Sequence, residues 1–162
     1  MGDAVVERRS GSVPVQYHQF DIKDEAGPVG PELGWGEAGF VVVMDGVIVV
    51  VTGVHTGSVE VEVALYEAEP GVGDGVWEEV VEISACSVSG DLQVRGMMDD
   101  LDEELPVLAF RGAGEYRLRV HARGREDGGD LDEGYLVQVW PAPVRAVAVP
   151  RQESPGTARA LR

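Results

Sequence analysis

Two apolar runs joined by an Asp-Gly pair set the tightest constraint on this chain. Phe40-Val41-Val42-Val43-Met44 and Val47-Ile48-Val49-Val50-Val51 flank Asp45-Gly46. β-Branched Val and Ile favour extended, pleated backbone. A two-residue Asp-Gly connection suits a type I′ turn, because Gly accepts positive φ without a steric cost. The sequence therefore predicts a hairpin from Phe40 to Thr52. Both arms are apolar on both faces, so they belong in the middle of a packed β structure; exposed, they would invite aggregation.

The rest of the chain supplies partners for that hairpin. Val59, Val61, Val63 and Leu65 alternate with Glu60 and Glu62, the period-two pattern of a half-buried strand. Tyr116, Leu118, Val120 and Ala122 alternate with Glu115, Arg117, Arg119, His121 and Arg123, which predicts the apolar set inward and the charged set outward. Val13 to Ile22 reads as one strand, with Val13, Val15 and Tyr17 on one face and His18, Phe20 and Ile22 on the other. Pro14 puts its start near an edge. Further strands are expected at Val76–Val88, Asp91–Gly96, Tyr135–Trp140 and Val144–Val149. Glu78 to Ile83 also fits a turn and a half of helix. Gly- and Pro-rich segments separate these runs every 8–12 residues, without the spacing of a βαβ unit. The expected fold is an all-β antiparallel sandwich of about nine strands with little or no helix. Residues 1–12 read as a flexible N-terminal segment, 13–150 as the sandwich domain and 151–162 as a disordered, Arg-containing tail.

Charge narrows the function. The 162 residues carry 29 acids against 13 Lys and Arg, a formal net charge of -16. Direct binding to nucleic acid needs Lys and Arg to neutralise phosphates, so this balance argues against it and against anionic membranes. It favours a basic protein partner, whose encounter an oppositely charged surface steers; solubility and adaptation to salt are the plainer explanations. No run reaches the ~18 apolar residues of a membrane span, and nothing at the N-terminus resembles a signal peptide, so a cytoplasmic location is expected. Cys86 is the only cysteine, which excludes an internal disulfide.

Catalytic patterns are weak. His18, His55 and His121 lack the paired His or Cys spacing of a zinc site. There is no Gly-x-Ser-x-Gly elbow. Gly71-Val72-Gly73-Asp74-Gly75 lacks the Lys-Ser/Thr ending of a phosphate loop. The expected protein is not an enzyme, and no cofactor or metal is assigned to it.

The most concentrated feature is acidic. Asp99, Asp100, Asp102, Glu103 and Glu104 fall within six residues, and Asp100-Leu101-Asp102-Glu103 recurs at Asp130-Leu131-Asp132-Glu133. Clustered carboxylates suit either a basic partner or Ca²⁺, which takes hard oxygen ligands. Neither run has the Asp-x-Asp-x-Asp-Gly frame of a calcium loop. Asp99, Asp100, Asp102, Glu103, Glu104, Asp130, Asp132 and Glu133 are the candidate partner-binding residues; a calcium- or small-ligand-binding sandwich is the alternative.

A resemblance adds to this reading. Gln16-Tyr17-His18-Gln19-Phe20, then Trp35, then Gly39-Phe40 leading to Asp45-Gly46, resemble the N-terminal half of the competence protein J family. The order continues through a middle strand ending near Gly96-Met97, Leu105-Pro106, Gly114-Glu115-Tyr116-Arg117-Leu118 and a final strand through Tyr135. It spans roughly Val13 to Val139, and Tyr17-His18-Gln19-Phe20 is its most specific piece. That family inhibits the bacterial DNA-uptake nuclease. The resemblance implies a small, non-catalytic protein that silences a basic nuclease or toxin by direct contact. Neither acidic run belongs to the part that carries it.

Overall fold

The alternating runs are realised as two stacked sheets. The computed structural model describes residues 5–24, 36–38, 40–44, 47–53, 55–71, 77–96, 105–124, 133–146 and 148–152. Among these residues the helix is absent and eleven strands are present: β1 (Val5–Val15), β2 (Gln19–Asp24), β3 (Gly36–Ala38), β4 (Val41–Met44), β5 (Val47–Val51), β6 (Gly57–Tyr66), β7 (Glu79–Ser87), β8 (Leu92–Gly96), β9 (Gly114–Arg123), β10 (Gly134–Pro141) and β11 (Ala148–Gln152). Six form one sheet in the order β1-β6-β10-β9-β7-β11, and five form the other in the order β3-β4-β5-β2-β8. All pairings are antiparallel except β10 with β6. The protein is all-β, two sheets enclosing one core. No helix among the described residues is long and apolar enough to cross a membrane.

The core follows the period-two pattern. Val59, Val61, Val63 and Leu65 of β6 and Leu118, Val120 and Ala122 of β9 face Phe20, Ile22, Ile48 and Val50 of the second sheet, all buried in one cluster. The apolar arms of the predicted hairpin pair as β4 and β5, with Val42 opposite Val49 and Met44 opposite Val47. β5 lies inside its sheet, next to β2, as the apolar composition of both its faces requires.

The structure differs from the sequence reading in four places. Val13–Ile22 is not one strand. β1 belongs to the six-stranded sheet and β2 to the five-stranded one, so the chain changes sheets at Tyr17-His18. The apolar residues record this: Val13 and Val15 face the core at odd positions, Phe20 and Ile22 at even ones, and an unbroken strand in one sheet cannot show both to the same core. Second, Val5 to Ser12 is not loose but pairs along β6 as the outer half of β1. Third, the last strand begins at Ala148 and includes Arg151 and Gln152, which pair with β7.

The fourth difference concerns β9. Arg117, Arg119 and His121 point away from the core, as the alternation predicts, yet they are buried. The segments 67–71 and 141–146 roof that face. Pro70 O accepts a hydrogen bond from Arg119 at 2.9 Å, and Ala146 O accepts one from Arg117 at 2.8 Å. Ala64, Tyr66, Trp77, Val80, Leu136 and Trp140 make a second, smaller apolar cluster under the roof. The Arg119 guanidinium stacks on the Trp140 ring at 4.9 Å. Apolar stems and a delocalised, weakly hydrated head let arginine occupy such a place where lysine would fit poorly.

Candidate functional site

One end of the sandwich gathers the features that the sequence singled out. The pairings define it. Val15 lies opposite Gly57, Gln19 opposite Val51, Phe20 opposite Gly96, and Gly134 opposite both Glu60 and Arg123. β1, β5, β8 and β9 therefore finish at this end, and β2, β6 and β10 start there. Residues 97–104 follow directly from Gly96, and residues 125–132 run from Gly124 back to Glu133. The segment with the first Asp-Leu-Asp-Glu run thus leaves from the end that holds the Tyr17-His18 connection, and the segment with the second starts and finishes there. Residues 97–104 carry five acids and no base; residues 124–133 carry five acids and Arg125.

At the centre of this end the backbone is unusual. Gln16 and Gln19 bridge each other, leaving Tyr17 and His18 as a two-residue connection. Their φ angles are 55° and 63°. Type I′ turns need positive φ at both central residues and favour Asn-Gly or Gly-Gly. A residue with a Cβ placed there costs roughly 1–2 kcal/mol. The surroundings hold it in place. His18 N donates to His55 O at 3.0 Å, Thr52 N donates to His18 O at 2.8 Å, and His18 Nδ1 lies 3.0 Å from Thr52 O. The His18 and His55 rings meet edge to face at 4.8 Å. Tyr17 is not clamped in this way. It is 66% exposed, and its ring meets the His55 ring edge to face at 5.7 Å.

Of the eight acids predicted to bind a partner, Glu133 lies among the described residues. Asp99, Asp100, Asp102, Glu103, Glu104, Asp130 and Asp132 lie outside them. Glu133 is buried, and its Oε2 accepts hydrogen bonds from Gly53 N at 2.7 Å and Tyr135 OH at 2.5 Å. The Tyr135 ring packs on Phe20 at 5.3 Å. Glu133 therefore braces the end from inside, tying the loop after β5 to the start of β10. Its carboxylate does not face solvent. Sequence reasoning passed over Tyr17 as a site residue because Tyr-His is not a turn signal. The available clue was the odd-to-even change of apolar phase between Val15 and Phe20.

The roofed face of the six-stranded sheet holds the other group of charges. Glu82 Oε2 accepts from Arg119 Nε at 2.8 Å, and Glu82 Oε1 lies 3.3 Å from Arg117 Nε. Burial pushes the Glu82 carboxyl up, but the hydrogen bonds and charges of Arg119 and Arg117 together outweigh it and hold the group below the ordinary carboxylate value. Burial also lowers the Arg117 guanidinium, with Glu82 partly offsetting it. His121 is driven down to about 4, by burial first and by the nearby Arg119 charge, against the hydrogen bond its Nδ1 makes to Leu136 O at 3.0 Å. It is neutral at pH 7. Further along, Glu69 pairs with Arg119 at 3.3 Å and Arg145 at 3.5 Å, and Glu67 pairs with Arg111. These groups satisfy one another. A shallow cleft beside them is lined by Glu67, Glu69, Trp140, Pro141, Pro143 and Val144. Among the described residues no three His, Cys, Asp or Glu side chains are grouped as a metal ion would require.

No family model matches this sequence. No curated protein matches it either. Solved structures do share its fold. ComJ from Bacillus subtilis, an inhibitor of the DNA degrading activity of NucA, superposes with a TM-score of 0.60 at 17% identity, covering 86% of this chain and 99% of ComJ. The protein of crocagin biosynthetic gene J superposes with a TM-score of 0.53 at 14% identity, covering 85% of this chain and 98% of its own. This chain has a ComJ-like fold.

Proposed function

We propose that this chain is a non-catalytic protein-binding module that inhibits a nuclease by direct contact, and that the contact is made by the loop end around Tyr17-His18. One observation carries the reading. The segments 97–104 and 125–132, nine carboxylates against one arginine, are joined to the end of the sandwich that also presents Tyr17. Covalent geometry limits Asp99 to within ~11 Å of Gly96, which pairs with Phe20, and Asp132 is the neighbour of Glu133. A nuclease groove that binds DNA is basic, and an acid-rich surface is its electrostatic complement. The shared fold with ComJ, itself an inhibitor of a nuclease, supports the same partner class. A bacterial cytoplasm and a link to competence belong with this reading.

The test is inhibition of a nuclease retained by the chain. The full chain is used to recover a nuclease from the native cell, and DNA degradation is then followed with stoichiometric inhibitor. The expected result is inhibition that weakens at least tenfold when Asp99, Asp100, Asp102, Glu103 and Glu104 are changed together to Asn or Gln. It should also weaken in 0.5 M salt, where exposed charges are screened within a few ångströms, against ~10 Å at 0.1 M. If no nuclease is retained, or the neutralised variant inhibits as well as the parent, the reading fails.

A further inference from the structure

We propose that Tyr17 is the contact at which this end of the protein takes a cationic side chain, an arginine guanidinium or a lysine ammonium, from its protein partner. The proposal rests on the loop end being a partner-binding surface, and adds to it a named residue and the chemistry it recognises.

Three observations carry it. The first is exposure. Tyr17 is 66% accessible, more than Val5, Val6, Val88 or Val144, the other exposed large apolar residues among those described. Its ring adds nothing to the buried core. The second is conformation. The same connection is made without strain by glycine, yet a bulky aromatic residue stands at φ 55°. Strain of this kind persists only where the surroundings enforce it, and it clusters at functional sites. Here the enforcing contacts are those of His18 with Thr52 and His55, which hold the backbone and leave the Tyr17 ring outward. The third is preorganisation. The ring rests on His55, whose own ring is packed against His18, so little side-chain freedom is lost when a partner arrives.

The electrostatics select the ligand. An aromatic face attracts a cation through its quadrupole, and the chain's net charge of -16 reinforces that preference. An exposed aromatic ring also stacks on nucleic-acid bases, but the same negative charge repels the phosphates that such binding needs. The ligand is therefore a basic side chain on a protein.

The experiment is calorimetric titration of the full chain with a hexa-arginine peptide at low salt, with a hexa-citrulline peptide as the neutral isostere. Parent, Tyr17→Phe, Tyr17→Leu, Tyr17→Gly and the five-fold neutralised variant are compared. The expected result is arginine binding by the parent without citrulline binding, retention within twofold by Tyr17→Phe, and a loss of roughly three- to tenfold in Tyr17→Leu and Tyr17→Gly, the size of one exposed cation–π contact. Tyr17→Gly should melt at or above the parent temperature, which places its loss in the contact and not in the fold. Equal binding by Tyr17→Leu and parent overturns the proposal, as does equal binding of citrulline or a clear drop in the melting temperature of Tyr17→Gly. If Tyr17→Leu binds like the parent while the neutralised variant does not, the aromatic contact fails and the acidic surface stands. If neither variant loses binding, both fail.

Discussion

On the roofed face of the six-stranded sheet, and at the end beyond it, carboxylates meet arginines. Glu82 lies between Arg117 and Arg119, Glu69 between Arg119 and Arg145, and Glu67 beside Arg111. At the loop end two carboxylates accept from neutral donors. Glu133 takes Gly53 N and Tyr135 OH, and Glu78 takes Gly124 N at 2.8 Å. Residues 97–104 and 125–132 add nine acids and a single arginine. Two regions of one acidic chain thus treat charge in opposite ways. Where charges are matched internally, their interaction free energy contributes to folding. Under the proposed function, the acids of the second region act on a partner instead. Charge removal should therefore act on stability in the first region and on binding in the second.

Glu82→Ala tests the matched region most severely. It leaves Arg117 and Arg119, 1% and 3% exposed, without their shared anion. Removing one partner of a buried ion pair costs about 3–5 kcal/mol, so urea unfolding should show a loss of that order. A loss under about 1 kcal/mol would mean that water reaches the guanidinium groups, and the contrast between the two regions would collapse.

Acid probes the same region more gently. His121 titrates near 6.5 when unfolded and at about 4 when folded. Between those values the unfolded chain binds more protons, so stability rises with pH. The contribution is fully present above pH 6.5 and is lost as pH falls through 4. From pH 7 to pH 5 the loss from this group is roughly 2 kcal/mol. Glu82, with its depressed folded value, acts in the same direction at lower pH, because its contribution is present above the unfolded value and lost as pH falls through the folded one. His121→Gln should flatten the slope between pH 7 and pH 5 when unfolding is followed at both. An unchanged slope would mean that His121 is protonated in the folded protein.

These residues also show where the sequence was readable. The inward faces of β6 and β9 were legible because an apolar residue every second position has one solution in a packed sheet. The outward face of β9 was misread for a physical reason. Alternation says which side of a strand a residue occupies, but not whether a roof covers that side. The roof here comes from segments 67–71 and 141–146, distant in sequence, and closes through backbone carbonyls that no side-chain pattern announces. The turn at Tyr17-His18 was hidden because its positive φ values are imposed by Thr52 and His55, not encoded by Gly or Asn. The acidic runs were evident as composition. Their attachment to one end needed the strand order, since Gly96 and Glu133 are remote in sequence and reach the same end through β2, β5 and β10.

The acidic segment 97–104 gives the smallest expected effect, and its smallness is the point. Changing Asp99, Asp100, Asp102, Glu103 and Glu104 together to Asn or Gln removes five negative charges from a chain of net charge -16. Substitutions away from buried networks usually stay within ~0.5 kcal/mol, and relief of like-charge repulsion pushes this one toward greater stability. Unfolding should therefore be unchanged or slightly harder, while inhibition drops. A loss of about 2 kcal/mol or more would put these acids in the same class as Glu82, matched from within. The loop end would then hold no reserve of charge for a partner.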